Sequence, residues 1–120
     1  MYLVRHAAVV VDRAVPSHRR QLSPEGRRAA RLAGLDATPD DRLREVTRPW
    51  SDDYEADVRR YLTGAAVSGW EPREAVLARL HAALDGFDGF AVTHGLAIAL
   101  HGDMTFDEWR AMPFPAVIER

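Results

Sequence analysis

Short apolar runs that stop abruptly at polar residues punctuate the chain. Met1-Tyr-Leu-Val4 gives way to Arg5-His6, Phe90-Ala-Val-Thr93 gives way to His94-Gly95, and Ala116-Val-Ile-Glu119 lies near the C-terminus. Each has the length and make-up of a short strand, the first two of buried ones. Elsewhere the spacing is helical. Tyr54, Val58, Tyr61 and Leu62 predict a helix over 53–63, and a turn follows over 64–69. Pro72 opens a stronger helix, with Val76, Leu77, Leu80, Ala83 and Leu84 on one face and Gly86 as its stop. Leu96 to Leu100, after Gly95, reads as a buried helix, and a short helix is expected around 105–112. Near the N-terminus, Ser23-Pro24-Glu25 supplies an N-cap, a first-turn proline and an acid at the positive end of the helix dipole. Gly26, Ala29, Ala30 and Ala33 give that helix a small-residue packing face, and Gly34 ends it. Residues 7–21 and 35–41 read as loops. Arg42-Leu-Arg-Glu-Val46 alternates polar and apolar, which predicts a short edge strand or an extended segment ended by Pro49. Trp50, Tyr54 and Trp70 are expected in the core. The order of elements predicts a three-layer α/β domain.

Composition narrows the function classes. The 120 residues make one domain, with a net charge of -2 and no cysteine, which excludes disulfides, a thiolate nucleophile and a thiolate zinc site. No apolar run approaches the ~20 residues that span a bilayer, and the N-terminus lacks the order of a signal peptide, so a cytoplasmic protein without membrane partners is expected. All 16 basic residues are arginine, and 18 acids are interspersed among them. That leaves no basic stripe for a nucleic-acid backbone.

The informative feature is a repeated context. His6 and His94 each follow a strand directly, and each precedes a very small residue, Ala7 or Gly95. Open α/β sheets bind ligands outside the carboxyl ends of their strands, so adjacent parallel strands would bring both imidazoles to one rim. The helix after His94 would offer N–H groups to an anion, and Arg5 adds a fixed cationic fork. This set suits phosphoryl transfer to nitrogen, because a neutral imidazole is a competent nucleophile near pH 7 and fixed cations stabilise the transferring group without a metal. Taken singly, a histidine at a strand end is an ordinary hydrogen-bonded loop residue. His18, His81 and His101 lack the paired context and read as structural.

Leu3-Val-Arg-His-Ala7, Leu22-Ser-Pro-Glu-Gly-Arg-Arg28 and Val92-Thr-His-Gly95, in that order, resemble the histidine phosphatase (phosphoglycerate mutase-like) superfamily. The resemblance runs from residue 1 to about residue 119. Arg42 to Trp50 and Gly69 to Pro72 resemble segments of a small bacterial, actinobacterial-type branch. It implies a three-layer α/β/α fold with a reduced, mostly parallel sheet, and a metal-independent, cofactor-free phosphatase acting on a small phosphomonoester. By the same resemblance His6 is the phosphorylated residue, Arg5 and His94 clamp the phosphoryl group, and Glu45 protonates the leaving oxygen. The structural alternative for Glu45 is an exposed strand residue paired with Arg44 or Arg48. Glu71 is a reserve acid, although its place before Pro72 fits a helix start equally well.

The chain departs from the family pattern after about residue 35. A strand and a helix, roughly 30 residues or one βα excursion, are missing, and with them the segment that carries a second phosphate-binding arginine. Arg48 or Arg20 could replace it from nearby loops. The sheet should shrink to the three strands above, with its exposed edge either capped by Arg42–Val46 or paired in a homodimer. The same loss favours, as the alternative function, a weak or inactive member that binds a phosphorylated ligand or a protein partner.

Overall fold

The computed structural model describes residues 2–5, 40–113 and 116–119. The expected loop at 7–21, the helix capped by Ser23, and the positions of His6, His18 and Arg20 lie outside the described residues. Within them the chain is a mixed α/β structure. Three strands, β1 (Tyr2–Arg5), β2 (Phe90–Thr93) and β3 (Ala116–Glu119), form a sheet in the order β2-β1-β3. β1 pairs parallel with β2 in the register Leu3 to Ala91 and Arg5 to Thr93, and antiparallel with β3, Val4 lying opposite Val117. The sheet is therefore mixed, with one parallel and one antiparallel pairing. β1 is its middle strand, and the burial of both Leu3 and Val4 shows that both of its faces are covered.

The helices form where the spacing predicts. α1 (Tyr54–Thr63) starts at Asp53, whose carboxylate accepts the Ala56 N–H at 3.3 Å, and stops at Gly64. Gly64 adopts φ +110°, a left-handed backbone that glycine enters at little cost, so the chain can turn and close the last carbonyls. α2 (Arg73–Leu84) buries Val76, Leu80 and Leu84, one residue per turn. α3 (Gly95–His101) is buried from Gly95 to Ala99, which explains its unbroken apolar run. α4 (Phe106–Ala111) carries a complete capping box: Thr105 Oγ1 accepts the Glu108 N–H and Glu108 returns a carboxylate to the Thr105 N–H. An aromatic cluster of Tyr54, Tyr61, Trp70 and Trp109 packs beside α1, with ring centroids 5.0 to 6.2 Å apart. Trp50 departs from expectation: it is 44% exposed, its indole N–H donating to Asp52 at the surface.

Of the two forms expected for Arg42–Val46, an edge strand or an extended segment, the second is found, after a short 3-10 turn. Asp41–Leu43 forms a 3-10 turn capped by the Asp40 carboxylate, and the chain then runs extended to Pro49 without joining the sheet. The Thr93 hydroxyl links it to β2, donating to the Leu43 carbonyl at 2.7 Å. Alternation of polar and apolar residues satisfies a strand or a strap equally. Here the backbone groups are taken by side chains of α2 and its N-terminal approach, so no ladder is needed to satisfy them. Residues 42–48 thus form a strap over the end of the sheet instead of a fourth strand. No helix among the described residues is long and apolar enough to cross a membrane.

Candidate active site

The parallel register sets Arg5 beside Thr93, so the two strands end at the same level and His94 follows at the rim that Arg5 occupies. The Arg5 side chain is buried and bends across the start of α3. Its guanidinium lies so close to Gly95 that a Cβ there would fall 3.0 to 3.2 Å from Nε, Nη2 and Cζ. Glycine at 95 is thus favoured by a close approach and not by an unusual φ, since a side chain there would press on the Arg5 guanidinium. Nη1 donates to the Met112 carbonyl and, at 3.5 Å, to that of Pro113, which ties the fork to the segment leading into β3. Burial lowers the Arg5 pKa from its ordinary value, while Glu45 and the Tyr54 phenol act to raise it. A guanidinium keeps its charge under these influences.

His94 occupies the N-cap position of α3 in an extended conformation and is half-buried. Burial, reinforced by the positive charge of Arg79, pushes its pKa down to about 4. The ring is thus neutral at pH 7, able to donate one hydrogen bond and accept another.

Glu45 is the largest surprise of the site. It is buried, contrary to the exposed alternative, and reaches neither Arg44 nor Arg48 in an ion pair. Its Oε1 accepts the N–H groups of Val46 and Ala97, both at 2.9 Å, and Oε2 accepts the Leu96 N–H at 3.0 Å. The carboxylate caps α3 from across the chain, in the role that the His94 side chain leaves to others. The expectation that this helix offers its N–H groups to an anion is corrected accordingly: those of Leu96 and Ala97 are already used.

Glu71 is not placed to act as the reserve acid. Burial works against its ionisation, but hydrogen bonds from Arg79 and the Thr47 N–H, with the charges of Arg79 and Arg44, outweigh it and hold its pKa below the ordinary value. Arg48 stacks over the Tyr54 ring at 4.3 Å and lies 5.7 Å from that of Trp70. Its Nε is buried without a hydrogen-bond partner. Tyr54, expected only to fill the core, belongs to both regions. Burial pushes its phenol up to about 12, with Arg48 acting against that shift, Glu45 with it, and Arg5 also within electrostatic reach. His81 and His101 pack edge to face, 5.7 Å between centroids, as structural residues. Among the described residues no group of three His, Cys, Asp or Glu comes together to hold a metal ion.

Arg5, His94, Glu45 and, through Tyr54, Arg48 thus belong to one neighbourhood. His6 and its pairing with His94 lie outside the described residues. Among solved structures, the fold is similar to that of the protein TTHB049 from Thermus thermophilus. The two superpose with a TM-score of 0.54 at 23% identity, over 82% of this chain and 80% of that one. At such an identity the likeness concerns the fold alone. No protein-family model and no curated protein matches the sequence.

Proposed function

We propose that this chain is a shortened histidine phosphatase with a three-layer, phosphoglycerate mutase-like fold, hydrolysing a small phosphomonoester through phosphohistidine without a metal. One observation carries the reading: the in-register ends of parallel β1 and β2 bring the Arg5 guanidinium against Gly95, immediately after a neutral imidazole at position 94. His6 is the next residue in sequence after Arg5. In the first step an imidazole nitrogen of His6 attacks phosphorus, the P–N bond forms, and the bond to the leaving oxygen breaks as that oxygen gains a proton. In the second step water attacks, the P–N bond breaks, and the proton from water returns to the acid. Arg5, with Arg48 as candidate for the second arginine, offsets the negative charge of the transferring group, and neutral His94 donates a hydrogen bond to it. Three of the roughly four acceptor sites of the Glu45 carboxylate are taken by N–H groups, so the proton-donor role that the resemblance implies falls to the remaining site on Oε2.

That occupancy favours a second reading, a phosphate-binding module without full turnover, because the Glu45 carboxylate holds the α3 N–H groups that a transferring phosphoryl group would otherwise use. Incubation of the purified chain with p-nitrophenyl phosphate and EDTA separates the two. Turnover abolished by His6→Ala, with acid-labile phosphate on the wild-type protein, supports the enzyme. Phosphate binding by calorimetry with no turnover in either protein supports the module.

A further inference from the structure

The strap is extended, carries two site residues, and has no neighbouring strand among the described residues, so something else must satisfy its carbonyls. A single side chain from the middle of α2 does so. Arg79 Nη1 donates to the carbonyls of Arg42 and Arg44 at 2.8 and 2.7 Å, and Nη2 donates to that of Glu45 at 3.1 Å. The remaining donors go to Glu71, Nε to Oε2 and Nη2 to Oε1, both at 2.9 Å. A guanidinium has five N–H donors, and all five are used. The pair is sealed, with the Arg79 side chain 10% exposed and that of Glu71 12%. Glu71 extends the clamp, since its Oε1 accepts the Thr47 N–H and its own N–H donates to the Thr47 carbonyl.

We propose that Arg79 is the positioning residue of this site: its fork replaces a β-ladder, fixes the strap, and through Glu45 sets the start of α3 and the His94 ring at its head. The planar fork is essential because three carbonyls, one in the 3-10 turn and two in the extended run after it, must be met from one point. A lysine offers three donors on a single nitrogen and cannot match them while holding Glu71 bidentately. Arg79 also acts on His94 directly, since its positive charge disfavours protonation of the ring. Among the described residues, the charged groups around the β2–α3 turn include Arg5 from β1, Glu45 from the strap and Arg79 from α2, with the Tyr54 phenol of α1 in reach of Arg5 and Glu45. Of these, Arg79 and Glu45 connect the turn to α2.

Only the turnover part of this proposal rests on the phosphatase reading. The test uses the full chain as Arg79→Lys and as Arg79→Gln/Glu71→Gln, which removes the cation and its partner together. Hydrogen exchange at the Leu96 and Ala97 amides and the NMR titration of His94 are read in each, followed by kcat and KM on p-nitrophenyl phosphate. In the double variant, exchange at both amides is expected to accelerate about tenfold or more, with the His94 titration moving toward higher pH. In Arg79→Lys the charge remains, so His94 keeps its low titration while the amides still lose protection and kcat falls about 10- to 100-fold, as for loss of an orienting partner, with KM changed less. Unchanged exchange at Leu96 and Ala97 in either folded variant overturns the proposal. If the double variant does not fold, Arg79→Lys decides by the same amides. A wild-type chain with no turnover defeats the phosphatase reading and leaves the amide and titration results to decide on Arg79.

Discussion

Replacing Glu45 by glutamine tests whether a side chain from the strap holds the start of α3. The carboxylate is 7% exposed and accepts three backbone N–H groups, two of them from residues 51 and 52 positions away. Hydrogen bonds to a charged group contribute about 1.5–3 kcal/mol each, and a buried donor left unmatched costs about 1–3 kcal/mol. Glutamine keeps the volume and one acceptor oxygen but turns an NH2 group toward a backbone N–H. The expected loss is that of one buried N–H group left facing the NH2 group, about 1–3 kcal/mol. Alanine removes every acceptor. Water entering the vacated space recovers part of the loss, so about 3–5 kcal/mol is expected, a large fraction of the roughly 5–15 kcal/mol that holds a domain folded. Glutamine is therefore the variant to measure. Urea denaturation at 25 °C gives the stability change, and hydrogen exchange at Leu96 and Ala97 shows whether the loss is local to α3. A Glu45→Gln protein within about 0.5 kcal/mol of wild type, with both amides exchanging as before, refutes the capping role, since surface changes of no consequence fall in that range.

Two further outcomes follow from the same rim. His94 has a folded pKa of about 4 against an ordinary value of 6.5, so the unfolded chain binds its proton first as pH falls. Its stabilising contribution is complete above pH 6.5 and is lost between 6.5 and 4, by about 3 kcal/mol at 1.36 kcal/mol per pKa unit. Denaturant midpoints across pH 4–7 should show a slope that His94→Gln flattens, and parallel slopes would show that the ring is not held neutral. Gly95→Ala would ordinarily favour a helix by about 1 kcal/mol, but the new methyl would lie 3.0 Å from Arg5 Nε. A net destabilisation of about 1–3 kcal/mol is expected from the overpacking, and a raised melting temperature would show that Arg5 does not press on this glycine.

Much of the fold was legible because its signals are local. Asp53 and Gly64 bound α1, Pro72 opens α2, Thr105 and Glu108 cap α4, and four-residue apolar runs mark the strands; each is read within a few positions of itself. The strap is less legible, for the opposite reason. Alternation in Arg42 to Val46 reports that one side is buried, as Val46 is, but it does not say what takes the backbone groups. The answer lies in Arg79, 34 to 37 positions away from the carbonyls it meets. In a chain whose every basic residue is arginine, nothing marks that one as different. Glu45 carried a signal of role but not of place, because its partners are the N–H groups of Leu96 and Ala97, which have no side-chain signature. Trp50 and Trp70 could not be told apart by residue type. Trp70 is packed against Tyr61, whereas Trp50 follows a proline out to the surface.

The charges around the rim connect the shortened chain to its two readings. Arg79 is neutralised by Glu71, and the buried Glu45 carboxylate offsets Arg5, leaving His94 uncharged at pH 7. Arg48 contributes the charge that no carboxylate among the described residues meets in an ion pair. A phosphomonoester brings up to two negative charges into a site where the balance of these groups is about one positive. The N–H groups of Leu96 and Ala97 are held by Glu45, so an entering phosphoryl group would compete with that carboxylate for the same helix start. On the phosphatase reading, proton delivery falls to the one Oε2 site of Glu45 that no N–H group takes. The clamp of Arg79 on the Glu45 carbonyl limits how far that side chain can move. If an entering phosphoryl group displaces Glu45 from those N–H groups at little cost, the rim fits the phosphatase reading. If the exchange is costly, the same residues make a rim that binds an oxyanion only through Arg5, Arg48 and the neutral imidazole.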